Sequence, residues 1–374
     1  MRFALEVSFI AKNFGSVYIA EETRKNAGCA YFRDGLCARF LCIFVIMRFI
    51  STVVVALCAV YLCSCSNSIS EWEREEANRV SPLDTFDLKD MSLIRSYGKT
   101  VTLGTMDKAA SLKDRPSMRV AFDYDYLIGT REITCAEMGR PCEDSLPATR
   151  VTYFDAVLYA NKRSKEEGFD TAYSYLGATY DAYGSCMNLD GLVFSPSVKA
   201  YRLPTEAEWV YAAGLEWEPE DGWHNGNSNF ELQKVCTSFI SKNGLCDMAG
   251  NVMEWVNDWY TPFRDTLVHN FMGAPDGGTL GERIVKGGSY RNAVGSINLY
   301  SRGDIYTVTS ASQSDYVGFR LAFGPIESPV WLGKDGQQKK SVVSVLAGAM
   351  DVRRWAGTYK AKIAFRNDET GNLA

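Results

Sequence analysis

Asp247 and Glu254 are carboxylates seven positions apart, with Gly250-Asn251 between them. A Gly-Asn turn brings backbone carbonyls inward, and carboxylates together with carbonyls are hard oxygen donors of the kind that hold Ca²⁺. The competing reading is structural, with Asp247 capping the turn and Glu254 pairing with an arginine. The 374 residues include only two histidines, His224 and His269, so a metal centre built on three histidines is excluded. No serine is framed by a Gly-x-Ser-x-Gly elbow, so that class of nucleophile is not announced.

Cysteine chemistry is the other option. Of 11 cysteines, Cys29, Cys37, Cys42, Cys58, Cys63 and Cys65 fall in the first 65 residues, leaving Cys135, Cys142, Cys186, Cys236 and Cys246. The close pairs Cys135/Cys142 and Cys236/Cys246 lack the CxxC spacing of zinc or thiol-redox sites, and in an oxidising compartment they are disulfide candidates. Spacing alone leaves the connectivity open, and Cys186 is left over. A formal net charge of -5, with no sustained Lys/Arg face, gives no electrostatic footprint for nucleic acid.

The elements that must position these residues are few. Phe122 to Gly129 alternates and ends on a glycine, which predicts a strand, as does Val101-Thr102-Leu103-Gly104. Thr152 and Asp155 open a helix that should stop at Gly168, and Thr205 with Glu208 forms a capping box for a helix through Ala213. The rest is rich in Gly, Asn, Asp, Tyr and Trp, a composition for loops held by aromatic packing. Arg202, Trp209, Trp255, Trp259 and Arg320 are expected to serve that packing and buried ion pairing.

At the N-terminus, Met47-Arg48, the apolar run Phe49 to Tyr61 and Leu62-Cys63-Ser64-Cys65 resemble a bacterial lipoprotein signal with its lipobox. The resemblance implies lipidation of Cys65. The expected organisation is an unused upstream start over 1–46, a signal peptide over 47–64 and a tether over 65–90. A folded domain over 91–325 and an extension over 326–374 follow; in the extension, Lys360 to Phe365 reads as a strand, either in a frayed tail or at the start of a truncated all-β domain. Membrane attachment through the lipid, a cell-envelope location and, because Ser66 is not acidic, the outer membrane follow from that reading.

Four segments in order carry a second resemblance: Tyr201-Arg202-Leu203-Pro204-Thr205-Glu206-Ala207-Glu208-Trp209, Gly244 to Trp255, Lys286-Gly287-Gly288-Ser289-Tyr290, and Gly318-Phe319-Arg320-Leu321. Together with Gly129-Thr130-Arg131-Glu132-Ile133-Thr134 they resemble the formylglycine-generating enzyme, or sulfatase-modifying-factor, family over about residues 95–325. The resemblance implies an α+β fold related to the C-type lectin fold, loop-rich and low in regular secondary structure. It implies a structural calcium on Asp247, Glu254 and the main-chain carbonyls of Gly250 and Val252, with a looser second site at Asn229 and Phe230.

The family oxidises a substrate cysteine with a copper-binding cysteine pair, and the two corresponding positions here hold Asn292 and Ile297. Neither supplies a thiolate, so no copper is expected. Met253 also replaces a tryptophan usual in the family, and Ser289, which matches a family active-site serine, reads as a turn hydroxyl. The expected function is a non-catalytic, lipid-anchored domain that binds a glycan or an envelope protein. The alternative is an enzyme of altered, cysteine-independent chemistry, using a pocket beside Ser289, Arg291 and Asn292.

Overall fold

The computed structural model describes residues 79–303 and 307–340. The chain divides into two units, 1–79 and 80–374, and the description below concerns the second. Cys65, the expected signal over 47–64 and the expected strand from Lys360 to Phe365 lie outside the described residues.

The expected α+β, loop-rich architecture is present. A four-stranded sheet is ordered β1 (Met91–Ile94), β4 (Tyr126–Gly129), β14 (Ala322–Phe323), β9 (Tyr201–Arg202). A three-stranded sheet is ordered β12 (Arg283–Lys286), β10 (Met253–Trp259), β13 (Val317–Gly318). Another is ordered β11 (Leu267–His269), β3 (Met118–Ala121), β2 (Thr100–Leu103). Three small pairs complete the sheets: β5 (Tyr173–Ser174) with β8 (Val193–Phe194), β6 (Gly177–Tyr180) with β7 (Cys186–Asp190), and β15 (Trp331–Leu332) with β16 (Gln338–Lys339).

The helices are α1 (Cys135–Met138), α2 (Tyr153–Glu166) and α3 (Glu206–Gly214). Reciprocal capping boxes open both longer ones, Thr152 with Asp155 and Thr205 with Glu208. Each satisfies backbone donors that the first helical turn leaves unpaired, an effect of about 1 kcal/mol per cap. Glu208 has a second task. Its carboxylate also holds the buried Arg202 through two hydrogen bonds of 2.7 Å.

The β10–β12 ladder separates two apolar cores. Val256 and Ile284 face one, with Trp209, Phe122 and Tyr126; Met253, Trp255 and Val285 face the other, with Tyr153, Tyr201 and Phe319. The same two-sided burial overrides the alternation read from Phe122 to Gly129. Only Tyr126–Gly129 is strand, and all four residues are buried because β1 and β14 flank it and both cores contact it.

Both expected domain boundaries shift outward. Residues 80–90, read as tether, contribute Leu83, 3% exposed, and Phe86, whose ring lies 5.5 Å from that of Phe323. At the other end, Ile326, Val330, Trp331 and Leu332 join the first core, so the folded body continues past 325 into the β15–β16 pair. Short apolar residues among charged ones gave no periodic signal in either segment.

Candidate functional site

The turns that precede β10 and follow β12 meet. Gly250 N donates to Gly287 O at 2.9 Å and Tyr290 N donates to Asn251 O at 2.8 Å, which joins two of the sequence motifs. Gly250 has φ +85, and a Cβ there would stand 2.1 Å from the Trp223 carbonyl oxygen, so only glycine fits.

Around this junction lie three buried carboxylates. Glu254 is gripped by Arg320, Nε to Oε2 at 2.6 Å and Nη2 to Oε1 at 2.7 Å, and Oε2 also accepts from Trp209 Nε1 at 2.8 Å. Asp247, at φ +54, accepts from Cys236 N at 2.6 Å and from the Ser238 hydroxyl at 3.2 Å. The third, Glu132, accepts from Val252 N at 3.2 Å and Asn251 Nδ2 at 2.7 Å. Burial, then the charges of Asp247 and Glu254, push the Glu132 carboxyl well above its ordinary range. Glu132 lies within the Gly129–Thr134 motif, and nothing in its spacing points to a partner more than a hundred residues away.

Of the calcium ligands expected at Asp247, Gly250, Val252 and Glu254, the two carboxylates are engaged by protein donors. Both Glu254 oxygens and both Asp247 oxygens already accept hydrogen bonds, and the Arg320 guanidinium supplies the positive charge that Glu254 needs. Among the described residues no three His, Cys, Asp or Glu side chains converge as metal ligands. Asn229 and Phe230 are left-handed, at φ +56 and +59, and Phe230 is 62% exposed. The structural alternative, a capping aspartate and an arginine-paired glutamate, describes the geometry.

Cys135 is bridged to Cys142 and Cys236 to Cys246, while Cys186 is a buried free thiol whose pKa burial raises. The second bridge ties Cys246, next to Asp247, to Cys236, whose N donates to Asp247, and Cys246 O accepts from Arg320 Nη2 at 2.8 Å. The two histidines are not brought together as ligands; His269 Nδ1 lies 3.2 Å from Asp123, and His224 accepts from Gly226 N.

A cavity of about 160 Å³ opens at the end of the ladder marked by Met253 and Val285, lined also by Gly287, Gly288, Asn292 and Ser301. No titratable side chain is among its described lining residues. Asn292 Oδ1 accepts from both Ser289 N and Ser289 Oγ at 2.8 Å. Ile297 is 4% exposed and presses on Gly288, where a Cβ would stand 2.8 Å from Ile297 Cγ1. Of the three pocket residues expected, only Asn292 lines the cavity. Ser289 is the turn hydroxyl behind it, and Arg291 turns away to pair with Asp315 and bond the Tyr290 hydroxyl.

Residues 131–324 match the model of the sulfatase-modifying factor enzyme 1-like domain. The chain is 32% identical over 146 residues to the formylglycine-generating enzyme of Streptomyces coelicolor, covering 32% of this chain and 46% of that protein. It is 25% identical over 178 residues to the chaperone protein LppX of Paenibacillus barcinonensis, covering 37% of this chain and 63% of that protein. The chain thus spans less than two thirds of the length of these curated relatives. In fold it is similar to Treponema denticola variable protein 1, with a TM-score of 0.51 at 23% identity over 63% of this chain and 95% of that one. With four ordered motifs folded around one junction and more than half of its residues matched, the chain belongs to the sulfatase-modifying factor enzyme 1-like domain family.

Proposed function

We propose that this chain is a lipid-anchored protein of the bacterial envelope whose domain binds a ligand and does not oxidise a substrate cysteine. The observation that carries this reading is the pair Asn292 and Ile297. One is locked by two hydrogen bonds from Ser289 and the other is packed against Gly288, so both positions perform structural work in place of thiolate chemistry. What they leave is a cavity whose described lining is Met253, Val285, amides, hydroxyls and bare backbone, with no charged side chain among those residues. Such a lining suits a neutral, hydroxyl-rich ligand, and exposed Tyr180 and Tyr183 offer ring faces for a sugar elsewhere on the surface. A protein partner is the second reading, favoured by the relative named as a chaperone. The lipobox-like Leu62-Cys63-Ser64-Cys65 supports the anchor, and Ser66 after it supports the outer membrane.

The test is binding of the purified full chain to arrays of neutral glycans and of envelope proteins, beside Ser301→Trp, which fills the cavity. Saturable glycan binding lost in the variant is the expected result; no binding on either array contradicts the reading. Incorporation of a palmitate analogue in wild type and not in Cys65→Ala is expected for the anchor, and labelling of both overturns it.

A further inference from the structure

The opposite end of the β10–β12 ladder carries a larger cavity, of about 350 Å³, on the side of Trp259 and Arg283. Its volume falls within the range of small-molecule sites. Leu189, Leu192, Phe194, Met272 and Trp331 give it apolar walls.

Arg283 is the one cation among the described lining residues, and it departs from the pattern of the other buried arginines. Arg202 pairs with Glu208, Arg302 with Glu206 and Arg320 with Glu254. Arg283 is 3% exposed, yet among the described residues no carboxylate lies within ion-pair distance of it. Its hydrogen bonds go to neutral acceptors, Ser310 Oγ at 2.9 Å and Asn257 O at 2.8 Å. Its guanidinium is sandwiched between the rings of Tyr153, at 3.6 Å, and Trp259, at 3.2 Å. Stacking offsets part of the cost of burying the charge, and burial still pulls the Arg283 pKa down to about 10. The neighbouring Asp258 acts on Arg283 through its charge without pairing with it, and burial and then Glu206 push its own carboxyl well above the usual range.

A second donor faces the same space. The Tyr173 hydroxyl accepts from Leu203 N at 3.0 Å, so it gives its own proton to Asn257 Oδ1 at 2.8 Å. That fixes the Asn257 amide, and its Nδ2 donates to no described residue although Asn257 lines the cavity and is 6% exposed.

We infer that this cavity is a binding site for a small monocarboxylate with a flat apolar body, its carboxylate received by Arg283 and Asn257 and its body held by Leu192, Phe194 and Trp331. Complementarity sets the charge. One cation cannot balance a dianion, and Asp276, which also lines the cavity, adds negative charge. The site is independent of the smaller cavity at the other end of the ladder.

Calorimetric titration of the full chain with phenylacetate, its neutral counterpart phenylacetamide and the dianion phenyl phosphate tests this, with Trp259 fluorescence as a second readout. Phenylacetate is expected to bind at least about tenfold more tightly than either of the others, about 1.4 kcal/mol. Arg283→Gln should abolish the preference. Because that variant risks misfolding, Leu192→Trp, which fills the cavity and leaves Arg283 in place, should abolish phenylacetate binding while the thermal transition is kept. Equal binding of the acid and the amide, tighter binding of the phosphate, retention of binding in Leu192→Trp, or no binding of phenylacetate overturns the inference.

Discussion

Arg320 grips Glu254 through two parallel hydrogen bonds of 2.6 and 2.7 Å, and both side chains are fully sealed from solvent. Removing one member of such a pair strands the other charge in the interior. Glu254→Gln is therefore expected to lower stability by about 3–5 kcal/mol in denaturant unfolding, whereas most of the loss should be absent from a double replacement of Glu254 and Arg320 by well-packed apolar residues. A loss below about 1 kcal/mol for the single change would show that the pair does not bear the buried charge.

Arg320 supplies a cation beside Glu254, so calcium is expected to add no stability through that carboxylate. A cation bound only by the folded state raises its stability in proportion to the logarithm of its concentration. Thermal unfolding of the purified chain is expected to be the same in EGTA and in millimolar calcium chloride. A rise of several degrees with calcium would place an ion where the structure places Arg320.

The capping boxes were legible in the sequence because their physics is local: Thr152 with Asp155 and Thr205 with Glu208 need only a spacing of three residues. The site was legible only as far as motifs reach. Glu254 and Asp247 stood out as paired carboxylates, but the ion that neutralises Glu254 comes from Arg320, 66 residues on, and Glu132 joins them from 119 residues before Asn251. Arg283 gave no signal at all, because what distinguishes it is that no carboxylate among the described residues pairs with it, and that exists only in three dimensions.

Lys286 gives the pH dependence a sign. Burial pulls its pKa from 10.5 to about 8, against the opposing pull of Glu206. Between these values the unfolded chain holds a proton that the folded chain has released, so this group's contribution to stability rises with pH from about 8 toward 10.5. Buried tyrosines and Cys186, whose pKa values are raised, act in the opposite sense at the upper end. The difference between wild type and Lys286→Met isolates the lysine: relative to the variant, the wild type should gain stability between pH 8 and 9.5. A flat difference would mean that its two backbone acceptors, Leu299 O and Ser301 O, hold the charged form.

The most direct test of the central claim, that the domain binds without oxidising, is mass spectrometry of a cysteine-bearing sulfatase-type peptide incubated with the full chain, copper(I), oxygen and a thiol reductant. With Asn292 and Ile297 where thiolates would be needed, the peptide cysteine should remain unconverted and the protein should retain no stoichiometric copper after desalting. Turnover of that cysteine to the aldehyde, or one copper held per chain, would contradict the account.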